Sequence, residues 1–247
     1  MRHTATLLLA IGAVFGSAAC REDPAIGITQ RIIDELVAQD YGAATSRFRM
    51  AEDQVLSLAA APVWRRALEH QSTTVREWAV DALGRIGQQE DVRRLAERLA
   101  DSSRGVRRGA MMSLIQIDPG AARAAFDTLL RASKPESIVL GAQGLAELKA
   151  FEGASLVLER MSDTTLPSST RRVLAQVLAT LGNPVAVGPL LALALDPEVD
   201  LSLRRMAAEA LVALEGEAVR EAAQRLVQSE DAYISDLARR LLANDVR

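Results

Sequence analysis

The chain of 247 residues contains one cysteine, two histidines and only 3% aromatic residues. A lone cysteine forms no internal disulfide and cannot supply the spaced cysteine pairs of a structural zinc site. Few aromatics and a net charge of −3 match nucleic-acid binders poorly, since these need a basic field and stacking platforms. Lysine occurs only at Lys134 and Lys149, so arginine carries nearly all of the positive charge. The composition excludes a disulfide scaffold and predicts no nucleic-acid partner.

Long apolar runs are also scarce, and the one that exists lies at the N-terminus. Ala5 to Gly16 are small and apolar and follow a short basic start. About twelve residues fall well short of the roughly 20 that cross a bilayer as a helix. Residues 1–19 are therefore predicted to be a cleaved secretory signal.

Cys20, the single cysteine, stands at the end of this segment. Ala18-Ala19-Cys20 resembles the lipobox of bacterial lipoproteins, in which the cysteine is lipidated and becomes the new N-terminus. Arg21 follows, and the resemblance then implies the outer membrane, with the protein facing the periplasm. Ser17 replaces the usual leucine, and Ser17-x-Ala19 also suits release of a soluble periplasmic protein. Lipid attachment would supply about 0.8 kcal/mol of membrane affinity per buried methylene.

The clearest internal pattern is a repeat marked by regularly spaced leucines. Their spacings are 31, 31, 33, 33 and 31 residues. A fixed period of this size is typical of stacked-repeat proteins, because each unit is too small to bury its own apolar face. The leucines are Leu83, Leu114, Leu145, Leu178, Leu211 and Leu242.

Each unit reads as two helices joined by turns. From Val75 to Ile86, apolar residues fall at i, i+4, i+7, i+8 and i+11, which is one helical stripe, and Gly87 suits a left-handed helix end. A shorter amphipathic segment lies between successive copies, and no strand-like alternation occurs. Small residues at two fixed places, such as Gly141 and Gly144, would let neighbouring helices approach closely. The predicted fold class is all-α.

These residues resemble HEAT repeats of the short HEAT-like type known from phycobilisome lyases. The resemblance covers about 180 residues, from roughly Val63 to the C-terminus. It implies a right-handed α-solenoid of about six helix-turn-helix units. In that family, an aspartate before the turn and an arginine that opens the second helix form a ladder between adjacent units. The matching residues here are Asp101, Arg107, Asp163, Arg171, Asp196 and Arg204.

The predicted organisation has four parts. Residues 1–19 are the signal, and residues 20–27 are the lipidated cysteine with a short linker. Residues 28–61 are expected to form an N-terminal helical cap, with a small independent domain as the alternative. Residues 62–247 form the HEAT-like repeat domain.

Catalytic side chains are sparse after removal of the signal. His70 is the only remaining histidine, and a Ser-His-Asp or Cys-His arrangement would need it beside a nucleophile. It occupies the turn position of the ladder aspartate, which predicts a surface or capping histidine. HEAT-like deoxyhypusine hydroxylases bind paired iron through several His-Glu dipeptides, whereas Glu69-His70 runs in reverse order and occurs once. The prediction is a protein that is no enzyme and has neither cofactor nor metal. An enzyme or enzyme-associated subunit related to HEAT-like lyases is the alternative.

A binding surface is predicted from the resemblance, since the second helix of each HEAT unit lines the concave face. Arginines in the middle of this face could bind carboxylates bidentately. We therefore predict a non-enzymatic scaffold or adaptor in the bacterial cell envelope that holds another protein or peptide there. A solvated face without a ligand, in a purely structural spacer, is the alternative. The candidate binding residues are Arg108, Met112, Arg172, Gln176, Arg205 and Glu209.

Overall fold

A computed structural model describes residues 23–244, and every regular element within them is helical. The predicted signal and the predicted lipidation site at Cys20 lie outside the described residues. Among the described helices, none combines the length and apolar character needed to span a bilayer. The first three helices precede the repeats: α1 (Pro24–Val37), α2 (Tyr41–Met50) and α3 (Glu52–Val55).

Six helix pairs follow, which we number as units 1 to 6. Their first helices are α4 (Ala61–Ala67), α6 (Val92–Arg98), α8 (Pro119–Leu130), α10 (Ala154–Ser162), α12 (Val187–Leu195) and α14 (Glu217–Leu226). Their second helices are α5 (Thr73–Ile86), α7 (Arg104–Ile117), α9 (Pro135–Glu147), α11 (Ser168–Leu181), α13 (Leu201–Val212) and α15 (Ala232–Asn244). Short 3-10 turns at Gln89–Asp91, Phe151–Gly153 and Pro184–Ala186 lead into α6, α10 and α12. The predicted all-α solenoid is confirmed.

The helix ends follow from local residue chemistry. Gly87 and Gly182 end α5 and α11 with φ angles of 74° and 65°, a left-handed conformation that favours glycine. Ser103 and Asp200 accept backbone N–H groups at the starts of α7 and α13. Asp118 ends α7 and also caps the start of α8, where its side chain accepts the Ala121 N–H. Units 2 and 3 are therefore joined without intervening residues.

The repeated leucines form the centre of one continuous core. The first five are fully buried, which contributes roughly 2 kcal/mol each relative to an exposed side chain. Leu242 is only partly buried, because it lies on the last described helix and packs on one side alone. The spacing of the leucines in the sequence is thus the spacing at which side chains of the core recur along the chain.

The segment before the repeats packs onto unit 1 and shares its core. α1 contacts both α4 and α5. The buried Trp64 Nε1 donates a hydrogen bond of 2.7 Å to the Val55 carbonyl. Phe48 meets Trp78 edge to face at 5.5 Å, and the Arg85 guanidinium lies 5.4 Å from the Phe48 ring centre. These contacts cover the apolar end of the array.

The second helices form a row that is parted at one place. α5 packs on α7, and α9, α11, α13 and α15 pack in succession, but α7 and α9 barely touch. Unit 3 is joined to unit 2 through α8, which contacts α6 and α7, and within the unit α8 packs closely on α9. A Cβ at Gly141 would lie 2.6 Å from the Phe126 carbonyl oxygen, and one at Gly144 would lie 2.7 Å from the Phe126 ring. Glycine at these two positions permits the close approach that the sequence predicts.

Candidate functional site

One side chain closes the turn between the two helices of most units. In each case it accepts the backbone N–H two residues further on, at 2.8–3.3 Å. The acceptors are His70, Asp101, Asp163, Asp196 and Ser229, in units 1, 2, 4, 5 and 6. Unit 3 has Ala132 at this position and therefore lacks the bond. His70 thus has the turn-capping contact predicted for it.

A second side chain, near the start of each second helix, donates to carbonyl oxygens of its own unit. These bonds satisfy carbonyls that the end of a helix leaves unpaired. The donors are Arg76, Arg107, Arg171, Arg204 and Ser235. Unit 3 has the buried Ile138 in this place. The predicted ladder arginines therefore bind backbone oxygens, whereas the turn aspartates bind backbone N–H groups.

The ladder contact between units involves Asp101 but not Arg107. Arg76 of unit 1 binds the Asp101 carboxylate through Nε at 2.8 Å and Nη2 at 2.9 Å. Both side chains are largely buried. Burial alone raises the pKa of Asp101, but the hydrogen bonds from Arg76 and from the Ser103 N–H outweigh it, so the pKa lies below its ordinary value. Asp163 pairs with Arg160 of its own unit at 3.2 Å.

Residues further along the second helices also bridge to the next unit. Arg205 binds Asp231 through Nε at 3.1 Å and Nη2 at 2.8 Å. This pairing lowers the pKa of Asp231 and raises that of Arg205. The bridging pairs are Glu77–Ser103, Arg172–Ser202 and Arg205–Asp231. Two of the three predicted binding arginines are therefore already engaged in holding adjacent units together.

Arg108 occupies the same position on α7 but has no such partner. It is exposed and makes no hydrogen bond or ion pair with the described residues, and the same is true of Arg104. Arg104, Arg107 and Arg108 all lie in the first two turns of α7, where the helix dipole disfavours cations. The first turn carries no acidic residue to offset them. Arg104 and Arg108 therefore remain available to bind an anion.

These free arginines border a groove of about 760 Å³ where the row of second helices is parted. α7, α9 and α11 all line it. We call its apolar lining residues the floor: Met111, Val139, Leu140, Val173 and Val177. The groove is lined on α7 by Arg104, Arg107 and Arg108, and on α11 by Ser169, Thr170, Gln176 and Thr180. Two carboxylates of α9, Glu136 and Glu147, also line it and form no ion pair with the described residues. The groove combines charged groups of both signs with an apolar surface, which suits an amphipathic ligand.

A smaller hollow of about 460 Å³ lies on the same row of helices, between α13 and α15. The Tyr233 hydroxyl donates to Glu209 at 2.5 Å, and the Arg205 guanidinium lies 5.3 Å from the centre of the Tyr233 ring. Leu201 and Met206 complete an apolar lining. We call this the Tyr233 hollow.

The six predicted binding residues are thus divided between different surroundings. Arg108 and Gln176 line the groove, and Arg205 and Glu209 line the Tyr233 hollow. Met112 is exposed but does not line the groove, whereas its buried neighbour Met111 does. Arg172 lines neither of the two cavities.

Arg104 and Tyr233 were missed by the sequence reasoning. The available signal for Arg104 was the group of arginines at the start of a helix without compensating acids. Within residues 23–244 no group of three or more His, Cys, Asp or Glu side chains is placed to hold a metal ion.

Comparisons with known proteins agree with this architecture. The family model for HEAT repeats matches residues 43–116, and so begins within the segment predicted as the cap. A search of the curated proteins found no match. Residues 43–116 therefore match HEAT repeats, and the described residues form an α-solenoid, as predicted.

Twenty-six solved chains also match. An engineered protein is 19% identical with a TM-score of 0.46, over 75% of this chain and 96% of its own. Human deoxyhypusine hydroxylase in complex with glycerol is 19% identical with a TM-score of 0.44, over 91% and 96%. The CpcE–CpcF complex of phycocyanin lyase from Nostoc sp. PCC7120 is 21% identical with a TM-score of 0.41, over 87% and 94%.

Proposed function

We propose that this chain is a non-enzymatic protein-binding scaffold of the bacterial cell envelope, whose groove between α7 and α11 holds a carboxylate-bearing segment of a partner protein. The observation that carries the proposal is the pair of unpartnered arginines, Arg104 and Arg108, beside an apolar floor. At the position of Arg108 in other units, Glu77, Arg172 and Arg205 are engaged with the next unit.

Two physical features favour a peptide carboxylate as the ligand. The guanidinium group binds a carboxylate through two parallel hydrogen bonds, and such charge-assisted bonds are about twice as strong as neutral ones. The floor residues Val139 and Val173 remain partly exposed, so an apolar side chain of the partner would remove them from water. An acidic residue beside an apolar one would satisfy both features.

The proposed envelope location rests on residues 1–20, which predict export and lipidation of Cys20. The membrane would then be contacted through the lipid anchor. A scaffold role is further supported by His70, because its Nδ1 accepts the Ser72 N–H and closes a turn. A catalytic base would need that side chain beside a nucleophile.

Site-specific photocrosslinking tests the proposal. A photoreactive residue replaces Gln143, which is exposed and lines the groove, and crosslinked proteins are identified from the producing cells by mass spectrometry. Capture of one partner is expected, and Arg108→Glu should lower the yield at least tenfold, because charge reversal repels the carboxylate. Single substitution at Arg108 is preferred, since Arg172 and Arg205 also hold adjacent units together.

Arg93→Glu is the matched control. Arg93 is likewise exposed, with 84% of its side chain accessible, and lies on the first helix α6 outside the groove lining, with a long ion pair of 3.9 Å to Glu97. Both variants should unfold at the wild-type temperature. If Arg108→Glu and Arg93→Glu captured the partner equally well, or if Gln143 captured none, the groove would not be the binding site.

A further inference from the structure

We infer that the groove and the Tyr233 hollow are two parts of one track, which binds a single extended segment carrying a carboxylate at one end and a large apolar side chain at the other. This inference rests on the proposed function, since it identifies the partner segment of that same site. It adds a second contact point for the partner segment and the distance between the two contact points.

Equivalent helix positions line both cavities. Arg104 and Leu201 each lie two residues before the first apolar position of their repeat, and Arg108 and Arg205 each lie two residues after it. The matched positions on α7 and α13 thus line both cavities: Arg104 and Arg108 line the groove, and Leu201 and Arg205 line the Tyr233 hollow. Because α9, α11 and α13 pack in succession, the second helices present equivalent positions on one side of the row. The two cavities therefore lie on the same face.

Between the two cavities, an exposed contact links α11 to α13. Arg172 on α11 donates at 2.8 Å to the hydroxyl of Ser202, which lines the hollow. The bond is solvent-exposed and neutral on the acceptor side, so it contributes little to stability. A polypeptide backbone crossing this point could accept from Arg172 in place of the serine, which makes the boundary passable.

The two ends of the track differ in chemistry. At the groove, Arg104 and Arg108 form no ion pair, although Glu136 and Glu147 also line it, whereas at the hollow Arg205 is neutralised by Asp231. Leu201 and Tyr233 each expose 44% of their surface, which is much for large apolar side chains. The Tyr233 ring is fixed by its hydroxyl bond to Glu209, and a fixed ring loses little conformational freedom on binding. The hollow therefore suits an apolar or aromatic anchor.

The spacing between the anchors follows from the repeat. The packed steps from α9 to α11 and from α11 to α13 are about 9 Å each, the interaxial distance typical of packed helices. The parted step from α7 to α9 is longer, so the anchors lie at least about 27 Å apart. An extended chain rises about 3.3 Å per residue, so at least about eight residues would separate the carboxylate from the apolar anchor.

A second photocrosslinking position tests this arrangement. The photoreactive residue is placed at Leu201 in the hollow, and the crosslinked partner peptide is mapped beside the one obtained at Gln143. The expected result is the same partner, with the two attachment points about five to ten residues apart. Different partners, attachment points more than about fifteen residues apart, or no capture at Leu201 would overturn the single track and leave capture at Gln143 intact. Failure at Gln143 would instead sink the proposed function.

Tyr233→Ala supplies an independent measurement. Loss of the second anchor should weaken binding of the mapped partner peptide about tenfold, measured by fluorescence anisotropy, because linked anchors reinforce one another. Tyr41→Ala is the control, since Tyr41 is similarly exposed but lies on α2. Unchanged affinity in the Tyr233→Ala variant would also overturn the single track.

Discussion

Unit 3 and its neighbours use the same helix pair but differ in what their polar side chains do. In units 1 and 2, and again from unit 4 onward, turn acceptors and helix donors are engaged in closing turns and bridging adjacent units. In unit 3 the corresponding residues are Ala132 and Ile138, which can do neither. It is at this unit that the row of second helices parts and the groove opens.

The difference teaches where binding capacity arises in an otherwise regular array. At one position of the second helices, Glu77, Arg172 and Arg205 bridge to the next unit. Arg108 has the same position on α7 but no partner in unit 3, from which α7 is parted. An irregular unit therefore leaves exposed a charged residue whose equivalents are structural elsewhere.

The strongest test of the common core is Leu145→Asp in unit 3. Leu145 is fully buried between α9 and its neighbours, and an unpaired carboxylate there should cost about 5 kcal/mol of unfolding free energy. That cost is comparable to the total stability of a marginal domain. Chemical denaturation followed by circular dichroism measures it. Gln143→Asp on the exposed side of α9 should change stability by less than about 0.5 kcal/mol. Equal melts for the two variants would show that the core of unit 3 differs from the one described.

Asp101→Asn tests the polar contacts of the regular units. Asparagine retains the acceptor for the Ser103 N–H but leaves the largely buried Arg76 without a counter-charge, at a cost of about 3 kcal/mol. Because the folded-state pKa of Asp101 is lowered, its contribution is fully present above the unfolded pKa of about 3.9 and is lost as the pH falls through the folded value.

The stability difference between wild type and Asp101→Asn should therefore be constant from pH 5 to 7 and shrink below about pH 4. Denaturant melts across this range measure it. Glu159→Gln, a carboxylate without a described partner in α10, is the control and should show no such trend. A difference that grows on acidification would contradict the assigned pairing.

Gly141→Ala tests the close packing of α8 on α9. The added methyl would lie 2.6 Å from the Phe126 carbonyl oxygen, which is backbone and cannot turn away. Overpacking of this kind costs about 2 kcal/mol. Gly188→Ala in α12 has open space around the new methyl and should be neutral or slightly stabilising, because alanine is the better helix former. A Gly141→Ala variant as stable as wild type would show that α8 and α9 can separate freely.

The sequence reasoning succeeded where one rule repeats in every unit. Leu83 and its equivalents predict both the second helices and the core, because burial and helical period act locally and identically in each copy. The ladder partners were harder to predict, because Asp101 lies six residues from Arg107 in the chain but pairs with Arg76, 25 residues before Asp101. Which arginine faces the aspartate depends on how adjacent units stack, and the spacing within one unit does not contain that information.

The groove was beyond sequence reasoning for a related reason. The shape of the groove depends on the close packing of α8 on α9 and on the near absence of contacts between α7 and α9. Neither of these can be read from a single segment of the sequence. Arg108 and Gln176 were found because they lie on the correct face of their helices. Arg172 and Arg205 lie on that face too, but the next unit supplies their partners.

The comparison can finally be reversed by giving unit 3 the residue it lacks. Ala132→Asp supplies the turn acceptor found in units 2, 4 and 5, so its carboxylate should accept the Lys134 N–H and stabilise the fold by about 1 kcal/mol. Denaturant melts measure the change. Ala132→Asn supplies the same acceptor without the charge and should stabilise the fold by a similar amount. If neither variant were more stable than wild type, the missing turn acceptor would not be what sets unit 3 apart.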